Sequence, residues 1–169
     1  KLTLLEEPQA ALYAWIERTH GQWRKQVRVG DLILVVDVGG GTTDLSAIAV
    51  RERDGELELH RVAVGDHILL GGDNMDLALA HVVRTKMEAS GITLEPGQLP
   101  ALTHACRVAK EQLLGRSDLE TSPIVLAGRG SKLIGSTIRS ELTREELVRT
   151  LVDGFFPKVA ASARPQTRA

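Results

Sequence analysis

The chain has 169 residues, 43% of them hydrophobic and 25% charged, the balance of an ordinary soluble protein with room for one domain or two small ones. Lys plus Arg (21) nearly cancel Asp plus Glu (22) and aromatic residues reach only 3%, which argues against nucleic acid or an anionic membrane as partner. Cys106 is the single cysteine, which rules out an intrachain disulfide and suits a reducing cytoplasm; no apolar run, that of Leu32 to Val36 included, is long enough to span a bilayer.

In chain order, Glu7-Pro8 followed by Ala11, Leu12, Trp15 and Ile16 predicts an amphipathic helix, with Pro8 in its tolerated first turn and Gly21 as its stop. A basic connector, Gln22 to Gly30, leads to a strand over Leu32 to Val38, apolar but for Asp37 and of the type buried on both faces. Thr43 to Val50 is its expected partner across a triple-glycine turn. Asp54-Gly55 then turns the chain into a third strand near Leu57 to Val64, whose alternation slips around His60-Arg61 and so predicts a bulge.

Asp73 to about Ala89 repeats Met75, Leu79, Val82, Val83 and Met87 at helical spacing, with Asp73 as N-cap candidate. Gly91 to Gly97 reads as a loop, and Leu99 to Leu114 as a second helix closed by Gly115. Two β-runs follow, Ser122 to Ala127 and Ile134 to Leu142, across a turn at Gly128-Arg129-Gly130. Thr143 opens a last helix, with Glu146 completing a capping box and Pro157 ending it. The expected organisation is a β-hairpin-rich part over residues 1–70, a small α+β part over 71–156 and a frayed tail over 157–169.

The most informative stretch is Asp37-Val38-Gly39-Gly40-Gly41-Thr42-Thr43-Asp44. A carboxylate at the end of an apolar strand is costly unless it binds something. Consecutive glycines let backbone N–H groups converge on an anion. No Gly-x-x-x-x-Gly-Lys-Ser/Thr string exists, so this is not a P-loop. A Rossmann loop must open a helix, and Thr-Thr-Asp-Leu-Ser-Ala-Ile-Ala-Val is poor helix material. What remains is strand, tight turn, strand, with phosphate on backbone N–H groups and Asp37 holding Mg²⁺ through water; the bland reading is a bare hairpin. The five histidines show no metal-ligand spacing, Cys106 falls on a buried helix face, and Trp15 and Trp23 serve packing or partner contact.

Asp37 to Asp44 resembles the second phosphate loop of the actin-like ATPase superfamily, and most closely that of the seventy-kilodalton heat-shock chaperones of DnaK type. Other strings agree in order. Glu6-Glu7-Pro8-Gln9-Ala10-Ala11 is similar to the family's helix start, and Gly65-Asp66…Leu70-Gly71-Gly72-Asp73-Asn74-Met75-Asp76 to its Leu-Gly-Gly segment. Ala105-Cys106-Arg107-Val108-Ala109-Lys110 falls on its adenosine-contacting helix, and Ser140 to Leu147 resembles the stretch before its next helix. The resemblance runs from about Glu6 to Phe156. It implies an α/β fold, a fragment of the ribonuclease H-like lobe II of an actin-like ATPase from a divergent bacterial member.

It also implies roles. Glu7 matches the glutamate that positions Mg²⁺-bound or attacking water, although a carboxylate there equally favours a helix N-terminus. Asp37 matches the metal-associated aspartate. Gly39, Gly40, Gly41 and Thr42 match β/γ-phosphate contacts of ATP or ADP. Gly71 and Gly72 could face nucleotide at a helix start, or simply form a glycine turn. Lys110 matches the ribose-contacting lysine; a lone helix lysine otherwise faces solvent. Two departures stand out: Arg107 where the family usually has Glu, and Glu111 just after Lys110.

No first-lobe phosphate loop and no downstream adenosine loop is present, and the chain begins at Lys1, so a piece of a longer cytoplasmic chaperone is expected, inactive as an ATPase by itself. In the whole protein the resemblance implies unfolded polypeptide clients, with J-domain or nucleotide-exchange co-chaperones, and neither nucleic acid nor membrane. The alternatives are a degenerate, non-hydrolysing regulatory or scaffold module and an actin-like polymerising ATPase.

Overall fold

The computed structural model describes residues 4–128 and 137–164. The chain forms two units, Lys1–Asn74 and Met75–Ala169.

The first unit opens with helix α1, Glu7–Arg18. Pro8 fits its first turn because the missing N–H has no intrahelical partner there. The helix ends where His20 and Gly21 take positive φ values of 47° and 81°, a left-handed exit that glycine supplies without strain. A short helix α2, Trp23–Gln26, interrupts the stretch expected to be a connector. Trp23 is buried with its ring centroid 6.4 Å from that of Trp15, and the Arg24 guanidinium lies 4.5 Å over it, so these tryptophans are packing residues within the unit.

Strands β1 (Leu32–Val38), β2 (Thr43–Arg53) and β3 (Glu56–Val64) make an antiparallel sheet in the order β1-β2-β3. The register runs from Leu32 opposite Ala49 to Val38 opposite Thr43. Asp54 and Gly55 both take positive φ, as the expected Asp-Gly hairpin requires. The register shifts between Ala47 and Ile48, which oppose Ala63 and Arg61, so the bulge lies at Val62, next to the slip in the alternation.

The two-faced burial expected of β1 is not found. Ile33, Val35 and Asp37 are half-buried, while Leu32, Leu34, Val36 and Val38 are exposed. β1 is an edge strand, and α1 packs against β1 and β2 on one side only. An unbroken apolar run reports the potential for two covered faces, not their occupation. Between α1 and the sheet lies a cavity of about 140 Å³ lined by Leu12, Ile48 and the unpartnered hydroxyl of Ser46, polar enough there to take water.

Helix α3 (Gly72–Ala89) carries the chain onward. Asp73 lies inside its first turn, two residues further in than the N-cap position at Gly71. In the second unit, a 3-10 turn at Pro96–Gln98 leads into α4 (Leu99–Gly115), followed by the hairpin of β4 (Thr121–Ala127) and β5 (Thr137–Thr143). The residues between, including the expected turn at Arg129-Gly130 and the start of the run at Ile134, lie outside the described residues. Leu79, Val83, Met87, Leu102, Leu113, Ile124, Leu142 and Leu147 form one core, joined by Cys106 at 0% exposure. Burial pushes the Cys106 thiol up to about 12, the neighbouring Asp76 charge adding to the effect.

The expected capping box is present: the Glu146 N–H donates to Thr143 Oγ1 at 3.1 Å and the Thr143 N–H to Glu146 Oε2 at 2.9 Å. It opens α5 (Arg144–Leu147), which passes through a π-helical turn at Val148–Val152 into α6 (Asp153–Phe155). The helical path thus stops ahead of Pro157. Among the described residues no helix is long and apolar enough to cross a membrane.

Candidate functional site

The ladder between β1 and β2 ends at Val38 and Thr43, leaving Gly39 to Thr42 as the turn. Gly39 N–H donates to the Thr42 carbonyl at 2.8 Å. The Gly39 carbonyl accepts from Gly72 N–H at 2.9 Å and the Gly40 carbonyl from Asp73 N–H at 2.7 Å. In a trans peptide the C=O and the next N–H point in opposite directions. With both carbonyls turned to the start of α3, the N–H groups of Gly40 and Gly41 therefore point away from it. Neither these nor the Thr42 N–H bonds to any described residue. Three neighbouring backbone donors without partners are groups that an anion can engage.

Gly71 makes this arrangement possible. A β-carbon on it would lie 2.5 Å from the Gly40 carbonyl oxygen and 2.6 Å from that of Gly39. Its own N–H donates to Asn74 Oδ1 at 2.9 Å. Gly71 and Gly72 thus have their N–H groups engaged inside the chain, and what they supply here is the seat of the Gly39–Thr42 turn.

Asp37 is half-buried at the end of β1, directly opposite Asp44, and its carboxylate makes no hydrogen bond or ion pair with a described residue. Like charges facing each other across a strand pair are unfavourable, an arrangement a cation relieves. Asp44 does have partners: His67 Nδ1 at 2.7 Å from Oδ1, and the Thr42 hydroxyl, which donates to Oδ2 at 3.3 Å. Among the described residues no three His, Cys, Asp or Glu side chains converge on a metal, but Mg²⁺ keeps several waters and takes only one or two carboxylates. The free N–H groups and the unpaired Asp37 thus fit a phosphate and its Mg²⁺.

Glu7 is exposed in the first turn of α1 without an ion-pair partner among the described residues; its neighbour Glu6 pairs with Arg61. Lys110, in the second unit, does not face solvent. Its side chain is 14% exposed and Nζ lies 2.6 Å from Oδ1 of Asp76, an ion pair whose angles fall outside those of a hydrogen bond. Arg107 Nε donates to the other oxygen of Asp76 at 2.6 Å. Asp76 is 1% exposed, so both cations compensate one buried charge. Asn74 and Asp76 stand in the Leu-Gly-Gly segment of the sequence without a role of their own, and His67 is not marked there. Asp76 carried a signal, a carboxylate among Met75, Leu79 and Val83 on the buried helix face; the other two carried none.

With this geometry established, the chain matches the family model described as Hsp70 protein over residues 4–165. It belongs to the Hsp70 family. Membership brings the actin-like ATPase fold, with which the α/β architecture of small sheets agrees, and places the chain with chaperone ATP-binding domains in general.

Proposed function

We propose that this chain is the phosphate-holding part of lobe II in the ATPase domain of a DnaK-like chaperone. The observation that carries this reading is the Gly39–Thr42 turn, whose carbonyls are fixed on α3 while the N–H groups of Gly40, Gly41 and Thr42 stay free. These donors would hold the terminal phosphates of ATP or ADP. Asp37 would hold Mg²⁺ through water, with Glu7 orienting a further water from α1. Bound there, Mg²⁺ supplies charge neutralisation for the phosphates. The chain's own contribution is to aim the N–H groups, keep the Asp37 carboxylate at the strand end, and tie the turn to a helix so that it does not reorganise during reaction.

In the whole protein this site would serve ATP hydrolysis coupled to lobe rotation and to binding of unfolded polypeptides, with J-domain or exchange-factor partners, in the bacterial cytoplasm. The chain alone should bind nucleotide weakly and turn over none, because donors from the opposite lobe are needed. Sub-micromolar ATP affinity for these residues by titration calorimetry overturns that. In the parent protein Asp37→Asn and Glu7→Gln should each lower turnover at least about tenfold without unfolding it, and wild-type rates in both remove them from the chemistry. A second reading, a scaffold no longer coupled to nucleotide, is favoured by one observation: Lys110 and Arg107 are both committed to Asp76.

A further inference from the structure

We propose that His67 is a positioning residue that divides the two ends of Thr42, its N–H for phosphate and its hydroxyl for water on a hydrated cation. The inference rests on the phosphate-holding role proposed above. His67 lies between β3 and α3, in a segment that returns along β2. There Thr43 N–H donates to the Ile68 carbonyl at 2.8 Å, Ile68 N–H to the Thr43 carbonyl at 3.2 Å, and Thr43 Oγ1 to the Leu70 carbonyl at 2.8 Å. The backbone on the C-terminal side of His67 is thus pinned to the residue between Thr42 and Asp44.

From that anchor the imidazole reaches Asp44, with Nδ1 2.7 Å from Oδ1. The neutral Nδ1–H tautomer and the imidazolium both donate there, so the contact does not depend on which is present. With the imidazole on Oδ1 fixing the carboxylate, the Thr42 hydroxyl donates to the other oxygen, Oδ2, at 3.3 Å. A hydroxyl whose only hydrogen is directed at a carboxylate has just its lone pairs to offer anything else. Lone pairs repel a phosphate oxygen but accept a hydrogen bond from metal-bound water. Asp37, directly opposite Asp44, is the carboxylate beside which such water would sit. His67 acts through Asp44 and touches no ligand itself, the relation of an outer partner to a metal site.

The imidazole is 59% exposed, so its removal opens no core. The test uses the full chain and Mg·ADP as probe, followed by two-dimensional amide spectra at Gly40, Gly41 and Thr42, with ADP plus chelator as the metal-free arm. His67→Ala should weaken Mg·ADP about tenfold while leaving metal-free ADP within about twofold, and His67→Gln, which restores an N–H donor, should recover most of the loss. Unchanged Mg·ADP affinity in His67→Ala, or equal losses with and without metal, overturns the positioning role while the phosphate site stands. Absence of any shift at the three amides in the wild-type chain overturns the phosphate reading, and this inference with it.

Discussion

Gly71 sits so close to Gly40 that a methyl group in place of its hydrogen would lie 2.5 Å from the Gly40 carbonyl oxygen. No backbone oxygen tolerates that approach, and here neither partner is a flexible side-chain end that could yield. The φ angle of Gly71 is not in the left-handed region, so the requirement for glycine is purely one of space.

Gly71→Ala should therefore push the Gly39–Thr42 turn off α3 and cost about 1–3 kcal/mol, as overpacking against fixed atoms does. Gly72→Ala is the control, because its β-carbon would meet the Gly39 carbonyl at 3.7 Å, an ordinary contact, in a helical turn that favours alanine. Thermal melts of the two variants should move in opposite directions or leave Gly72→Ala unchanged. Equal losses would mean that helix entry, not the fit of the turn, is at stake.

Much of the hairpin was legible because its signals are local. The bounds of β1, the Asp54-Gly55 turn and the capping box at Thr143 and Glu146 each follow from a few adjacent residues. Helix α2 was missed because four residues carry no periodicity, and the π-turn at Val148 because a five-residue ladder leaves the apolar pattern almost unchanged. The exposure of Leu34 and Val36 depends on what covers the second face of β1, which the strand's own residues do not encode. Pairing of Asp76 with Lys110, and of Asp44 with His67, joins positions brought together only by the fold.

The ion cluster around Asp76 separates two roles for Lys110. A ribose-contacting lysine is removable without harm to the fold, whereas a partner of a carboxylate 1% exposed is not. Lys110→Met should destabilise the chain by about 3 kcal/mol, since breaking one arm of a buried ion pair leaves charge uncompensated. Lys110→Arg should keep most of the stability, because a guanidinium can reach the same carboxylate. A melting temperature of Lys110→Met within a degree of wild type would return the lysine to a ligand-only role.

Glu146 gives the second unit a defined sensitivity to acid. Burial alone would raise its pKa, but the hydrogen bond from Lys86 and those with Thr143 override it and hold the carboxyl below its ordinary value of 4.5. Lys86 Nζ lies 2.8 Å and 2.9 Å from the two carboxylate oxygens, so the ionised form is the one the fold selects. A carboxyl whose folded pKa is depressed contributes stability that is fully present above its unfolded pKa and is lost as pH falls through the folded one. The pair should thus stabilise the chain unchanged from neutral pH down to about pH 5, then weaken progressively below 4.5. Glu146→Gln keeps the side chain's length and its carbonyl acceptor but removes the charge, at a cost of roughly 1 kcal/mol near pH 7. Urea midpoints of wild type and variant, compared from pH 7 to pH 3, should converge as the acid end is approached. A gap that persists undiminished at pH 3 would place its origin in packing and not in the ionised pair.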